Sequence, residues 1–167
     1  MTGHGSRPPR IVMMCGVAGS GKTTYAKRLE SEGFARLSID EYIWSTYGRF
    51  GIDYPESTYT QYLASAENVL QERLVQLIAQ CRDVVLDISF WQRARRNRYK
   101  AIIENAGGTW ELVYLKTPVA VLRRRLEQRV ARFDANAAFP ITEATLQRFL
   151  AGFEEPISEG EIVIEQR

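Results

Sequence analysis

The feature that most constrains this chain is the eight-residue segment GVAGSGKT at positions 16–23. It satisfies every required position of the phosphate-binding loop pattern G-x-x-x-x-G-K-[ST]. A short apolar run at 10–15 precedes the segment, and the residues after it read as a helix that closes at Gly33. Because a strand, a glycine-rich turn and a helix form the setting in which such a loop works, the segment predicts a nucleoside triphosphate site.

The chemistry of phosphate binding explains the residue types in this loop. The glycines admit unusual backbone angles and leave the amide groups open to an anion at the start of a helix. We expect Lys22 to reach the β- and γ-phosphates, and the Thr23 hydroxyl to complete the coordination shell of Mg²⁺. The residues predicted to bind the nucleotide are Gly16, Ala18, Gly19, Ser20, Gly21, Lys22, Thr23, Thr24 and Arg125.

Length and composition predict one globular domain. The chain has 167 residues, of which 45% are apolar and 25% charged. We expect residues 1–9, which are small, polar and proline-rich, to form a flexible tail, and residues 10–167 to form a single domain. No apolar run approaches the length of a membrane span and no secretory signal is recognisable, so the expected location is the cytoplasm. A monomer or a weak dimer is compatible with this organisation.

The histidine and cysteine content narrows the chemistry. The one histidine, His4, lies in the predicted tail, which argues against a histidine-dependent triad and a histidine-ligated metal. Any catalytic base is therefore expected to be a carboxylate or the substrate itself. Cys15 and Cys81 fall in predicted regular elements and are interpreted as buried thiols of a reducing compartment.

Apolar patterns after the loop predict alternating strands and helices. Strands are predicted at 34–39, 83–87, 110–115 and 161–165, and helices at 40–44, 56–80, 92–105, 118–129 and 142–153. Residues 131–140 lack periodicity and are predicted to be a loop. Strands that alternate with helices indicate an α/β fold with a parallel sheet covered on both faces.

Two aspartates follow predicted strands at the edge where ligands of such sheets bind. Asp40 is a candidate to accept the proton of an acceptor hydroxyl, and the alternative is that it caps a helix. Asp87 ends the run 84–86 in the manner of an aspartate that holds Mg²⁺. It could instead orient the acceptor, or be an ordinary turn residue.

Arginines and aromatic residues supply the remaining candidates. Arg125 and Arg129 lie one helical turn apart, with Arg132 further along the row, and could neutralise charge on the moving phosphoryl group or form a solvated helix face. A second basic group spans 93–100. An aromatic stretch over 42–62 could form an acceptor pocket or simply pack together. The predicted substrate-binding residues are Asp40, Tyr42, Trp44, Asp87, Trp91 and Arg93.

These features together resemble the small P-loop kinases of the AAA_33 and zeta-toxin-like group, near chloramphenicol phosphotransferases and polynucleotide 5′-kinases. The resemblance implies a three-layer, nucleoside-monophosphate-kinase-like fold with strand order 2-3-1-4-5, Mg-ATP as donor and a short arginine-bearing lid. It also implies that Asp40 is the base and that Arg125 and Arg129 are lid arginines. The segments that carry it are 16–23, Ser38-x-Asp40, 84–87 with the arginine-rich helix after it, Arg125-x-x-x-Arg129, 139–140 and 153–156.

The sequence therefore predicts an ATP-dependent kinase, with Lys22, Asp40, Arg125 and Arg129 catalytic, Thr23 and Asp87 at the metal, and a small hydroxyl-bearing molecule as acceptor. A polynucleotide 5′-hydroxyl kinase is the first alternative. It is disfavoured by a net charge of only +2, and because Asp87 is followed by Ile-Ser-Phe where polynucleotide kinases of the group have x-Thr-Asn. The second alternative is a nucleotide-binding regulatory or toxin-like protein. The acceptor and the choice between ATP and GTP remain open.

Overall fold

The computed structural model describes residues 6–129 and 141–167. Strands and helices alternate along these residues, as the sequence predicts. The predicted loop at 131–140, which includes Arg132, lies outside the described residues. The strands are β1 Arg10–Cys15, β2 Ala35–Ser38, β3 Val84–Asp87, β4 Thr109–Lys116 and β5 Glu161–Glu165. The helices are α1 Lys22–Ser31, α2 Ile39–Tyr47, α3 Tyr59–Ala79, α4 Arg93–Asn105, α5 Val119–Arg129 and α6 Glu143–Gly152, with a 3₁₀ turn Glu56–Thr58 before α3.

The five strands form one parallel sheet in the order β2-β3-β1-β4-β5, which confirms the predicted topology. β1 lies at the centre, between β3 and β4. In the register of the sheet, Ser38 at the end of β2 pairs with Asp87 at the end of β3. The carboxyl ends of β1, β2 and β3 therefore meet at one edge, which is where parallel sheets of this kind bind ligands.

Helices cover both faces of the sheet. Side chains of a strand alternate between faces, and along β1 Ile11 and Met13 join a large core with residues of α3 and α4. Val12 and Met14 point the other way, into a smaller core against α1. Both cores leave β1 buried on its two sides, which explains its continuous apolar sequence. None of the helices in the described residues combines the length and the apolar character needed to cross a membrane.

The junction between β2 and α2 differs from the prediction. β2 ends at Ser38 rather than at Ile39, and α2 begins immediately. The Ser38 hydroxyl accepts a hydrogen bond from the Glu41 N–H at 3.2 Å and so caps the helix. Asp40 is consequently in the first helical turn, and the capping role considered for it belongs to Ser38.

Two expectations from composition also change. Part of the predicted tail is fixed at the amino end of the sheet, because Arg7 pairs with Asp83 at 2.6 Å and the Thr109 N–H donates to the Pro9 carbonyl at 3.0 Å. Cys15 is buried as predicted, but Cys81 is exposed. Cys81 follows the end of α3, in a turn with a φ of 56°.

A buried ion pair ties α4 to the segment before β5. Arg96 is fully buried and donates to the two carboxylate oxygens of Glu159 at 2.9 and 2.8 Å. It also donates to the Phe90 carbonyl at 2.8 Å, at a residue with a positive φ of 45°. The basic group at 93–100 is therefore divided, since Arg96 holds the fold together and is not available to a phosphate.

Candidate active site

The loop between β1 and α1 has the geometry that a phosphate site requires. Gly19 and Gly21 adopt positive φ angles of 85° and 96°, a region that favours glycine. A Cβ at Gly16 would lie 2.5 Å from the Ser20 Oγ, so the loop closes only without a side chain there. The first turn of α1 has no side-chain cap, which leaves its N–H groups for an anion.

Lys22 lies folded against the loop that it belongs to. Its Nζ donates to the carbonyl oxygens of Gly16 and Val17, both at 2.9 Å. Burial lowers the pKa of Lys22, whereas the negative charges of Asp87 and Asp40 oppose that shift. The ammonium group therefore lies against the carbonyl groups of the loop. An incoming phosphate would replace these contacts with an ion pair.

The residues predicted to hold the metal are in direct contact. The Thr23 hydroxyl donates to the Asp87 Oδ2 at 3.0 Å, across the gap between α1 and the end of β3. Mg²⁺ prefers oxygen ligands and is usually bound through one or two protein groups together with substrate phosphates. A hydroxyl and a carboxylate beside a phosphate loop fit that donor set. The described residues contain no cluster of three or more histidine, cysteine, aspartate or glutamate side chains that could form an all-protein metal site.

Arg36 is a member of this site that the sequence analysis did not identify. Its side chain, in β2, is only 8% exposed, and it lies 3.2 Å from the same Asp87 Oδ2. It also contacts Glu30 of α1 at 3.2 Å and Glu41 of α2 at 3.7 Å. The signal that the sequence offered for this residue is a basic side chain inside a short predicted strand. Arg36 thus balances the charge of a carboxylate that is almost entirely buried.

Asp40 faces the same space from the first turn of α2. It is accessible to solvent, but the surrounding walls of the cleft displace bulk water from its carboxyl group. This desolvation, and secondly the charge of Asp87, raise the pKa of Asp40, while the charges of Arg129 and Lys22 lower it. A carboxylate with a raised pKa, close to two cations, suits a group that accepts a proton from a substrate hydroxyl.

The two predicted lid arginines approach the loop from α5. Arg125 donates to the Gly19 carbonyl at 3.1 Å and lies 3.5 Å from the Gln166 Oε1. Arg129, one turn further, is close enough to Asp40 and Lys22 for its charge to shift the pKa of both. Both arginines are therefore near the phosphate loop rather than on a solvated outer face.

Apart from Arg36, the side chains described above border one cleft with a volume of about 1120 Å³. This slightly exceeds the range of roughly 300–1,000 Å³ that is typical of single-ligand pockets. The predicted residues that line it are Ala18, Gly19, Gly21, Lys22, Thr23, Thr24, Asp40, Asp87, Trp91, Arg125 and Arg129. Gly16 and Ser20 also belong to the loop, but they are buried and do not line the cleft. Tyr59 of the aromatic stretch and Arg95 and Arg98 of the basic group at 93–100 also line it. Lining residues that the sequence analysis did not single out include Leu63, Glu67 and Phe149.

Three predicted substrate residues do not line this cleft: Tyr42, Trp44 and Arg93. The Arg93 side chain is exposed, and its backbone N–H donates to Glu154 at 3.0 Å. Tyr42 meets Tyr47 edge-on, at a ring distance of 6.4 Å. Tyr47 in turn stacks on Tyr62 of α3 at 3.7 Å. These contacts pack part of the aromatic stretch between α2 and α3, while Tyr59 of the same stretch lines the cleft.

Comparisons with known proteins agree with the fold described above. The AAA_33 family model, described as an AAA domain, matches residues 11–156. No match was found among curated protein sequences.

Solved structures align over nearly the whole chain. A Chloroflexus aurantiacus protein described as a candidate kinase has a TM-score of 0.75 at 17% identity, covering 95% of this chain and 89% of that one. A sugar kinase from a Janibacter species has a TM-score of 0.62 at 22% identity, covering 95% and 86%. A chain of the Pnkp1/Rnl/Hen1 RNA repair complex has a TM-score of 0.65 at 17% identity, and the match covers 92% of this chain but 49% of that one. At these identities the likeness is one of fold.

Proposed function

We propose, since this chain belongs to the AAA_33 family, that it is a kinase that transfers the γ-phosphoryl group of Mg-ATP to a hydroxyl of a small molecule. The observation that carries the proposal is the convergence of three groups on one cleft. The phosphate loop, the contact between Thr23 and Asp87, and the raised-pKa carboxyl of Asp40 all border it. A protein that only binds nucleotide has no need for a carboxyl group such as that of Asp40.

The nucleotide half of the cleft would hold Mg-ATP through the loop amides, Lys22 and Arg125. Thr23 and Asp87 are the residues that would hold Mg²⁺, which when bound screens the phosphate charges and orients the terminal phosphate. Lys22 would leave the loop carbonyls for the β- and γ-phosphates. Arg129 is close enough to stabilise negative charge on the group in transfer.

Asp40 supplies the base for the chemical step. The acceptor hydroxyl would lie within hydrogen-bond reach of its carboxylate and in line with the γ-phosphorus. As the new O–P bond forms, the hydroxyl proton passes to Asp40 and the bond to the β,γ-bridging oxygen breaks, so that ADP leaves with the electron pair. The products are the phosphorylated acceptor and ADP, and the proton is later released to water.

The test is ADP release with Mg-ATP and a panel of hydroxyl acceptors, with phosphate gain verified by mass. In Asp40→Asn we expect acceptor-dependent turnover to fall by about 10²- to 10⁴-fold, because general base catalysis is lost. ATP affinity, measured by titration, should change little. Glu72→Gln makes the same carboxylate-to-amide change at an exposed position of α3 outside the cleft, and it should retain full activity. Undiminished turnover in Asp40→Asn would contradict the proposed role.

A polynucleotide 5′-hydroxyl kinase is the second candidate. It is favoured by Arg95 and Arg98, two cleft residues beside the acceptor region, and by the fold shared with a chain of the RNA repair complex. Binding of a 5′-hydroxyl oligonucleotide that weakens steeply with salt would support it. Phosphate transfer to small acceptors but not to the oligonucleotide would exclude it.

A further inference from the structure

The part of the cleft beyond Asp40 has two helical walls. On α3, Tyr59, Leu63 and Glu67 are four residues apart and share one face. At 1.5 Å per residue they span about 12 Å, so this wall extends well past the phosphate loop. Tyr59, at the near end of this wall, lines the same cleft as the proposed base Asp40. The far end, at Glu67, meets Arg95 and Arg98 of α4.

The contacts at this far end leave hydrogen-bond donors unused. Arg95 donates through Nε to the Glu67 Oε1 at 2.9 Å, and Arg98 approaches the same oxygen at 3.7 Å. The Tyr99 hydroxyl also donates to it, at 3.2 Å. Among the described residues, the two terminal amino groups of Arg95 and all donors of Arg98 have no hydrogen-bond acceptor. Glu67 therefore holds Arg95 by its inner nitrogen, and both arginines are among the residues that line the cleft.

The formal charge of the described residues that line the cleft also favours an anionic ligand. Among the described residues that line it, seven are basic and three are acidic, a surplus of four positive charges. Mg-ATP carries a net charge of about −2 at neutral pH, so it does not balance this surplus. A surplus that remains after the nucleotide is bound favours an anionic second ligand.

From these observations we propose that the acceptor is a small molecule with a carboxylate or phosphate group, held by Arg95 and Arg98, and with its reacting hydroxyl at Asp40. The site rests on the proposed kinase function. The apolar side chain of Leu63, between Tyr59 and Glu67 on α3, would contact the carbon skeleton of the acceptor. Two guanidiniums with free terminal donors provide the fork geometry that recognises such anions.

Binding of matched acceptor pairs tests the inference. Glucose is compared with gluconate, and uridine with uridine 3′-monophosphate, at equal ionic strength and with saturating Mg-ADP in the nucleotide half. Calorimetry should show that the anionic member of each pair binds about tenfold more tightly, or better, because charge-assisted hydrogen bonds are made only to it. Equal affinity within both pairs, or no binding by either anionic member, would overturn the inference.

Arg98→Gln is the main variant, since its side chain is 58% exposed and its replacement leaves the packing intact. It should reduce the preference for the anionic member about tenfold, and Arg95→Gln should act in the same direction. Arg124→Gln removes one exposed arginine of α5 outside the cleft and should leave the preference unchanged. An unchanged preference in Arg98→Gln would contradict the assignment.

Two further outcomes separate this inference from the kinase function. Phosphate transfer to neutral and anionic members alike would uphold the kinase function and overturn the anionic acceptor. Selective binding of the anionic members without any phosphate transfer would uphold the anion site at Arg95 and Arg98 and overturn the kinase function. A 5′-hydroxyl oligonucleotide that binds far more tightly than either small anion would also overturn the proposal, in favour of a nucleic-acid acceptor.

Discussion

At the scale of single residues, the Asp87 carboxylate is the most constrained group of the site. Thr23 and Arg36 both contact its Oδ2, and its side chain is only 4% exposed. A carboxylate this deeply buried depends on a nearby cation for its stability. Arg36 is the cation in direct contact with it, and it reaches Glu30 and Glu41 as well.

Replacing Arg36 should therefore destabilise the protein. Arg36→Met leaves a buried carboxylate uncompensated, and we expect the free energy of unfolding to fall by about 3 kcal/mol. Chemical denaturation provides the measurement. Arg123→Met breaks an ion pair with Glu143 whose side chains are 44% and 58% exposed, and it should cost less than about 1 kcal/mol. A cost for Arg36→Met no larger than for this control would contradict the role given to Arg36.

The pH dependence of turnover should report on Asp40. A base acts only when it is deprotonated, so the rate falls as pH decreases through its pKa. Because the pKa of Asp40 is raised above its ordinary value of 3.8, the acid limb of kcat/KM should lie above that pH. Arg129→Gln removes a charge that lowers this pKa, and it should move the limb to still higher pH. A limb that stays in place in Arg129→Gln would indicate that another group titrates.

At the scale of elements, the turn between β1 and α1 is fixed by the absence of side chains. A Cβ at Gly16 would meet the Ser20 Oγ at 2.5 Å and the Leu115 carbonyl at 3.3 Å. Gly16→Ala must therefore shift either the buried Ser20 side chain or the loop itself, and small displacements at such sites have large effects. We expect affinity for a fluorescent ATP analogue to fall about 100-fold.

Gly107→Ala is the matched control for this change. Gly107 has a positive φ of 92°, but a Cβ there would meet nothing within 4 Å. The substitution should cost about 1 kcal/mol of stability through backbone strain and leave nucleotide affinity unchanged. Equal nucleotide affinity in the two variants would show that the loop tolerates a side chain at Gly16.

The elements were also the level at which sequence patterns were most informative. Buried strands such as β1 and β3 are continuous apolar runs, and the loop between β1 and α1 has a motif with fixed spacing. The boundary of β2 was placed one residue late because Ile39 favours a strand by itself. Its helical state depends on the cap that Ser38 provides, and a strand-forming residue after a capping residue is ambiguous without the structure.

At the scale of the whole molecule, stability depends on contacts between distant segments. Arg96 and Glu159 are 63 residues apart in sequence, and their side chains are 0% and 3% exposed. Glu159→Gln leaves the Arg96 charge without its partner. We expect a loss of about 3 kcal/mol, or roughly 10 °C in Tm, at neutral pH.

This loss should depend on pH. The hydrogen bonds from Arg96 lower the pKa of Glu159 below its ordinary value of 4.5. The stabilisation is therefore complete above about pH 4.5 and disappears as pH falls through the lower, folded-state pKa. The difference in Tm between wild type and Glu159→Gln should narrow below pH 4.5. A difference that stays constant into strong acid would show that the pair is not responsible.

Such contacts also mark what the sequence could not predict. The proposed metal-site pair of Thr23 and Asp87 could be expected from motif and strand-end position. Arg36 contacts Asp87 because β2 lies beside β3, in a register that pairs Ser38, two residues after Arg36, with Asp87. Tyr42 and Trp44 were expected at the substrate because they follow Asp40 closely. Neither is among the residues that line the cleft, whereas Glu67 and Arg95 line it from elements distant in sequence.

The separation of the cleft into a loop-built half and a helix-built half has a consequence for how this fold diversifies. The proposed acceptor wall consists of three side chains on one face of α3, none of which takes part in the hydrogen bonds from Lys22 to the loop or from Thr23 to Asp87. Substitutions at Leu63 or Glu67 would alter the shape and charge of that wall while the donor machinery stays intact. A library confined to this single helix face is therefore a compact route to new acceptor specificities.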